Sequence, residues 1–275
     1  MKAYVSNMKI GVRLGLAFGA LLALMVGVAI VGVTQLYVMD GALTDAVDVS
    51  GGENRLVSQA LESAQRIIAQ GTVRFAVVAG VDSFLHGPTL AAYHQRRQLV
   101  TLKNADGFLP GEAAAAVAVG AARSRTDTLR CLGTGWGNEP AIQDSDVPLR
   151  ADGLADAYRQ ALSNAGVGFE HVDYRITDLS GDQYAFRESS LALLRTMRVR
   201  KEELDIWHPA DCVGRVGAAI VPLMLGVALA AAQRGYAPGP GLLLHASDES
   251  GRRAALVMRA DVQQAPLAHL FGGAP

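Results

Sequence analysis

No charged side chain occurs between Arg13 and Asp40. Within that stretch, Leu14 to Val33 is an apolar run of twenty residues. A helix rises about 1.5 Å per residue, so this run is long enough for a hydrocarbon core of roughly 30 Å. Beyond residue 50 the pattern changes to short periodic blocks. Leu56, Ala60, Leu61, Ala64, Ile67 and Ile68 recur at helical spacing and stop before Gly71, which predicts a helix over 51–71 with a glycine cap. Val73–Ala79 reads as a buried strand ending at Gly80, and residues 86–104 as a polar, helical stretch. Residues 106–111 read as a loop, and 113–119 as a buried strand or a tightly packed helix. Further strands are predicted at 129–134, at 172–177 by alternation, and as a pair at 241–246 and 253–258. Helices are predicted at 151–165, closed by Gly166, at 182–199, and at 213–233. Arg215, Pro222 and the many small residues make 213–233 a buried core helix rather than a second membrane span. Strands alternating with helices imply a layered α/β fold.

Charge sets the topology of the apolar run. Lys2, Lys9 and Arg13 precede it; Asp40, Asp45 and Asp48 follow it. The Lys/Arg bias puts the N-terminus in the cytoplasm. No small-x-small cleavage site follows, so an uncleaved anchor is preferred to a signal peptide. A mean hydropathy of +0.21 agrees with a membrane segment. The expectation is a single-pass protein of the inner (cytoplasmic) membrane, with the lipid bilayer as a partner. The 25 Lys and Arg balance 26 Asp and Glu. That balance argues against nucleic acid as a partner. Cys131 and Cys212 are the only cysteines, too few for a disulfide framework. His86, His94, His171, His245 and His269 lack metal-ligand spacing, and surface or capping roles suffice for them. No metal and no cofactor is expected.

Two stretches carry resemblances to known families. Asn7 to Gly19, the apolar run, Gln35-Leu36 and Gly41 to Ala46 resemble the start of bacterial methyl-accepting chemotaxis receptors. There the segment is the first membrane helix. The second likeness runs over about residues 51–260. Arg66 to Gly71 leading into Ala76 to Ser83, then Asn104-Ala-Asp-Gly-Phe-Leu-Pro-Gly-Glu-Ala-Ala-Ala115, Asp211 to Ala219 and Gly241 to Met258 resemble the β-ketoacyl synthases of the thiolase-like superfamily. These resemblances imply three parts: a receptor-like anchor at 1–50, a synthase-like domain at 51–262, and a tail at 263–275. The fold class expected is a partial thiolase-like layered α/β fold preceded by one transmembrane helix. The opening strands of the family's first half are not matched.

The resemblance also implies a chemistry, which the residues qualify. Such enzymes use a cysteine thiolate at a helix N-terminus and two histidines that act on the thioester. Counting back from Arg66, the nucleophile position falls near Asn54, which cannot form a thioester. The first histidine position falls in Thr177-Asp178-Leu-Ser-Gly-Asp182. The second falls near Asp211, flanked by His208 and Cys212. Cys212, His208 and Asp211 remain as catalytic candidates, although a structural cysteine and a hydrogen-bonded His208–Asp211 loop pair are preferred. Asp106, Gly107, Phe108, Glu112, Gly214 and Gly217 are expected to frame a pocket with the 177–182 loop. Asp106 and Glu112 would brace it. The reading is a non-catalytic or degenerate, membrane-tethered acyl-thioester-binding protein, with acyl carrier protein or a CoA thioester as partner and a homodimer as the assembly. Alternatives are a membrane sensor or interaction module, and an active 3-oxoacyl synthase using Cys212.

Overall fold

The computed structural model describes residues 55–121, 128–143 and 145–262. The apolar run at 14–33, Asn54 and the tail at 263–275 lie outside the described residues. Among the described residues, no helix is long and apolar enough to cross a membrane.

The elements run α1 (Arg55–Ala69), β1 (Phe75–Ser83), α2 (Gly87–Gln95), β2 (Glu112–Gly120), β3 (Thr128–Asn138), α3 (Asp152–Ala165), β4 (Tyr174–Thr177), α4 (Gln183–Thr196), β5 (Asp205–Trp207), α5 (Ala210–Val213), α6 (Ile220–Gln233), β6 (Gly241–Ser247) and β7 (Arg252–Asp261). Two sheets form. One is the antiparallel pair β1–β2; the other has five strands in the order β3-β7-β6-β4-β5. Strands β5, β4 and β6 are parallel neighbours, because α4 and α6 carry the chain across between them. Strands β6 and β7 form an antiparallel hairpin.

Both faces of the five-stranded sheet are covered, which explains its unbroken apolar runs. Leu242, Leu244, Leu256 and Met258 pack in one cluster with Met224 and Ala228 of α6 and with Val78 of β1. Leu243, Ala255 and Val257 point the other way, onto Leu154, Tyr158 and Ala161 of α3 and Ala192 of α4. The layers are therefore α3 and α4, the large sheet, α6 with α1, and the small sheet. Burying one of these leucines contributes about 1.5–3 kcal/mol.

Helix α3 lies unusually close to the sheet. A Cβ at Gly135 would stand 2.0 Å from the carbonyl oxygen of Ala157, and one at Gly137 1.8 Å from that of Gly153. The helix starts without a side-chain cap of its own. Buried Glu139, at the end of β3, accepts from Gly153 N at 2.9 Å and places a carboxylate at the helix N-terminus.

Three expectations need correction. The 86–104 stretch is helical only over Gly87–Gln95. Arg97 takes a left-handed φ of 57°, and the chain then folds back so that Phe108 N donates to Gln98 O. The strand predicted at 172–177 is shorter, β4 spanning Tyr174–Thr177, and all four of its residues are buried between β5 and β6 despite the alternating pattern. Within 213–233 the helix proper begins at Ile220; Gly217–Ala219 is a 3-10 turn, preceded by the short α5. Strand β5 and α5 were not foreseen, being too short to leave a periodic signal.

The small sheet has one covered and one open face. Ala76, Val78, Val117 and Val119 pack inward. Phe75 and Val81 are 58% and 71% exposed, and Val77, Ala79, Ala114, Ala116 and Ala118 share their side. Ser83 and Glu112 close this face at one end with a polar contact, and the remainder of it is apolar.

Gly135→Val forces a branched side chain into the backbone of α3. It is expected to lower stability by about 3 kcal/mol, the upper end of ordinary overpacking, measured as a fall in the urea midpoint of tryptophan fluorescence.

Candidate functional site

Three turns meet above the C-terminal end of β4, and their sequences explain why. Asn104 organises the first. Its amide donates to the carbonyls of Arg97, Leu99 and Asp106 at 2.7, 3.0 and 2.8 Å. This presents Asp106, whose carboxylate accepts from Gln183 N at 2.8 Å at the start of α4. Asp182 caps the same helix through Ala185 N at 2.8 Å. The second turn passes through Gly181 at φ +108°, where a Cβ would stand 2.6 Å from Gly107 O. Only glycine fits that backbone and that approach. In the third turn, Arg215 N donates to Leu109 O at 2.7 Å, and Gly111 N donates to Arg215 O at 3.0 Å.

Between these turns lies a cavity of about 360 Å³, lined among others by Asp178, Ser247, Asp248, Glu188, Arg215 and Arg253. Arg215 rests on the ring of buried Phe108, 4.5 Å from its centroid, and reaches Glu249 at 3.8 Å. Arg253 grips Glu188 with two bonds of 2.7 and 2.9 Å, both side chains only 2% exposed. It also donates to Tyr184 Oη at 3.0 Å, and that hydroxyl donates to Ala141 O at 2.6 Å. Burial raises Glu188, but the guanidinium beside it acts in the opposite direction.

Asp178 follows the last residue of β4. Its side chain is 9% exposed, and Oδ2 accepts from Ser247 N at 2.6 Å. Burial pushes its carboxyl up from 3.8 to about 7, against the opposing pull of that bond and of Arg253 and Arg215. Behind it on β6, His245 Nε2 lies 3.9 Å from Oδ1. The other ring nitrogen of His245 is 2.7 Å from Tyr158 Oη on α3. Burial, helped by Arg175 and Arg253, lowers His245 from 6.5 to about 3 and keeps it neutral. Tyr158 is pushed up to about 12 by burial.

The residues singled out from sequence fall in different places. Asp178 lines the cavity. Thr177 is buried beside it on β4, with Oγ1 3.5 Å from Trp207 O. Asp106, Gly107 and Phe108 support the lining from beneath rather than forming it. Glu112 lies at the rim of the small sheet and accepts from Ser83 Oγ at 3.1 Å. Gly214 and Gly217 both have positive φ; Gly217 is seated against the Asp82 carboxylate, which accepts from Ala218 N at 3.1 Å. His208 and Asp211 form a pair at 3.4 Å, with the His208 ring 5.4 Å from that of Phe186. Neither lines the cavity, and Cys212 is an exposed residue of the four-residue α5. Cys131 is half-buried in β3, where burial pushes its thiol up. Asn54 lies outside the described residues.

His245 corrects the sequence reading: it is 1% exposed, not a surface or capping residue. Arg253, Glu188 and Tyr158 were not foreseen as site residues, and Arg215 was noticed only as a charge within an apolar stretch. A cation inside the apolar Arg252–Met258 run and a histidine inside Gly241–Ala246 were the available signals. Glu188 left none.

No family model and no curated protein matches the chain. Solved structures do. A β-ketoacyl synthase from Burkholderia phymatum STM815 is similar with a TM-score of 0.66 and 17% identity, over 77% of this chain and 60% of that one. The ketosynthase ApeO in complex with its chain length factor ApeC, from Xenorhabdus doucetiae, gives 0.64 and 18%, over 74% and 57%. The complex of a type II polyketide synthase acyl-carrier protein with its ketosynthase, AntDE:AntF, gives 0.65 and 16%, over 74% and 60%. The described residues have a thiolase-like ketosynthase fold. The chain spans 60% or less of the length of these ketosynthase structures, and 22% of a longer ketosynthase–chain length factor protein.

In this ketosynthase-like fold, the two buried ionisable groups behind the cavity make opposite contributions to stability against pH. Asp178 is raised on folding, so its contribution is present below about pH 4 and is lost as pH rises toward about 7. His245 is lowered, so its contribution is present above about 6.5 and is lost as pH falls toward about 3. The two nearly cancel between pH 4 and 6.5. Asp178→Asn is expected to leave a stability that rises with pH across this window, and His245→Asn one that falls. Urea midpoints measured at half-unit pH steps check both slopes.

Proposed function

We propose that this protein holds an acyl thioester in the Asp178–Arg253 cavity and does not perform thiolate-dependent Claisen condensation. The observation that carries the reading is the chemistry of the lining. It offers carboxyl groups, guanidinium groups and hydroxyls, with neither thiol nor imidazole among the described lining residues. Thiolate-dependent condensation needs a cysteine that becomes acylated. The nucleophile position at Asn54 carries an amide, and Cys212 lies away from the cavity. The cavity itself, with Arg215, Ser180 and Ser247 at its wall, suits the carbonyl and amide groups of a pantetheine arm. That arm would be presented by coenzyme A or by an acyl carrier protein. Purified protein incubated with labelled malonyl and acyl thioesters is expected to bind them without covalent label or condensed product. Turnover above a protein-free control, abolished by Cys212→Ala, would restore the active-synthase reading.

A second thiolase-like subunit is the proposed protein partner, and a second copy of this chain is the simplest one. The open apolar face of β1–β2 favours this, because Phe75, Val77 and Val81 otherwise stay in water. Residues 51–275 are expected to sediment as a dimer or larger species in analytical ultracentrifugation. A well-behaved monomer there sinks this part of the proposal.

The anchor reading is part of the same proposal. Residues 14–33 form one uncleaved span with the N-terminus in the cytoplasm, in the manner of a chemoreceptor's first helix, and tether the domain to the inner membrane. The Lys2, Lys9 and Arg13 bias supports it. The full-length chain is expected in the pellet after a carbonate wash; recovery in the supernatant refutes the span.

A further inference from the structure

The binding reading leaves one buried arrangement without a task. Asp178 reaches the cavity wall from the end of β4, and two side chains from other elements stand in line behind it. His245 of β6 is 3.9 Å from its Oδ1, and Tyr158 of α3 is 2.7 Å from the far nitrogen of that imidazole. Ser247 N holds the other carboxyl oxygen at 2.6 Å. Strand β6 thus holds the carboxyl group at the end of β4 at the edge of a cavity through Ser247 N and sets a neutral imidazole beside it, which Tyr158 of α3 bonds in turn. The other buried carboxylates of the fold have visible partners: Glu188 is paired directly with Arg253, and Glu139 accepts from two backbone N–H groups, Ala141 N and Gly153 N. Among the described residues Asp178 has no Arg or Lys ion pair; the His245 imidazole 3.9 Å away is neutral.

We infer that Asp178 is an acid–base residue that exchanges the C2 proton of an acyl thioester seated in the cavity, with His245 and Tyr158 as its positioning residues. This rests on the binding reading above. In the forward step the C2–H bond breaks and the proton moves to an Asp178 carboxylate oxygen. The electron pair of that bond enters the enolate, whose charge lies near Arg215. In the reverse step a carboxylic proton, exchanged with solvent, is returned to C2. No other reactant is consumed, so in deuterated water the outcome is deuterium at C2.

The electrostatics match this task. Burial brings Asp178 to about 7, near the working pH at which a general base is most effective. The groups facing it are Arg253 from β7, Arg215 from the third turn and the imidazole of His245 from β6, with Ser247 N from β6 bonded to it. Tyr158 touches His245 rather than Asp178, so its effect on proton transfer passes through the ring.

The test uses the full-length protein with butyryl-pantetheine thioester in deuterated water. Proton NMR follows the C2 methylene signal, and saturation transfer in the same sample reports binding. The expected result is binding together with loss of the C2 signal faster than in buffer, with a rate that rises with pH through about 7. Asp178→Asn is expected to keep saturation transfer and to slow exchange on the order of 10²-fold. Tyr158→Phe is expected to keep exchange but to move the midpoint of the pH–rate profile, which a purely structural hydroxyl would not do. Binding without exchange above buffer overturns the proton-transfer inference and leaves the binding reading standing. Absence of saturation transfer overturns both. Undiminished exchange in folded Asp178→Asn assigns the chemistry elsewhere and overturns the role of Asp178. Should Asp178→Asn not fold, the wild-type profile decides: a rate independent of pH across 6–8 overturns the inference.

Discussion

The cavity depends on the buried pair between Arg253 and Glu188. Arg253 lies on β7 and Glu188 on α4, so their two bonds fasten a helix to the sheet edge-on to the cavity. The same guanidinium donates to Tyr184 Oη and to the carbonyls of Asp248 and Arg252. Its donors are thus spread over the helix, the hairpin turn and the strand. Such a pair contributes little net stability over apolar packing, but removing one member leaves a buried charge and costs about 3–5 kcal/mol. Its consequence is geometric. With α4 held in place, Gln183 N sits where Asp106 can accept from it, and Asp182 caps the same helix through Ala185 N. The third turn then closes over that loop through Arg215.

Electrostatic roles within the wall divide along burial and pairing. Glu188 is buried but doubly bonded to a cation. Asp178 is nearly as buried, but it is bonded to one backbone N–H and only loosely associated with a neutral imidazole. Burial is the largest influence on both and raises both; it is opposed at Glu188 by the bonded guanidinium of Arg253, and at Asp178 by one backbone N–H and the guanidinium groups of Arg253 and Arg215. The two carboxyl groups of one wall thus differ in partner: a bonded cation for Glu188, a backbone N–H for Asp178.

The two sheets differ in how completely the described chain covers them. The five-stranded sheet has helices on both faces, while β1–β2 has α1 and α6 on one side only. Alanines on β2 keep the open face smooth, and Phe75 and Val81 give it apolar bulk. The chain spans little more than half of the ketosynthases it resembles.

Local pattern determined much of this protein. Helices α1, α3, α4 and α6, the β6–β7 hairpin and the capping glycines Gly71 and Gly166 follow from periodicity and turn chemistry, which act within a few residues. The layered α/β class follows from their order. The Asp-Gly-Phe loop and the Thr177–Asp182 turn were picked out by their resemblance to the synthases' motifs; the structure puts Asp178, Ser180 and Asp182 in the cavity wall and the Asp-Gly-Phe loop outside it. Pairings between residues far apart in sequence were decided only by the tertiary structure. Nothing near Glu188 announces Arg253, 65 positions away. Nothing near Tyr158 announces His245, 87 positions away. Burial of β4 on both faces likewise arises from its neighbours β5 and β6, not from its own four residues. Local spacing encodes which element forms. The charge state and partner of a buried side chain depend on what other elements bring to it, and that information resides in the packing.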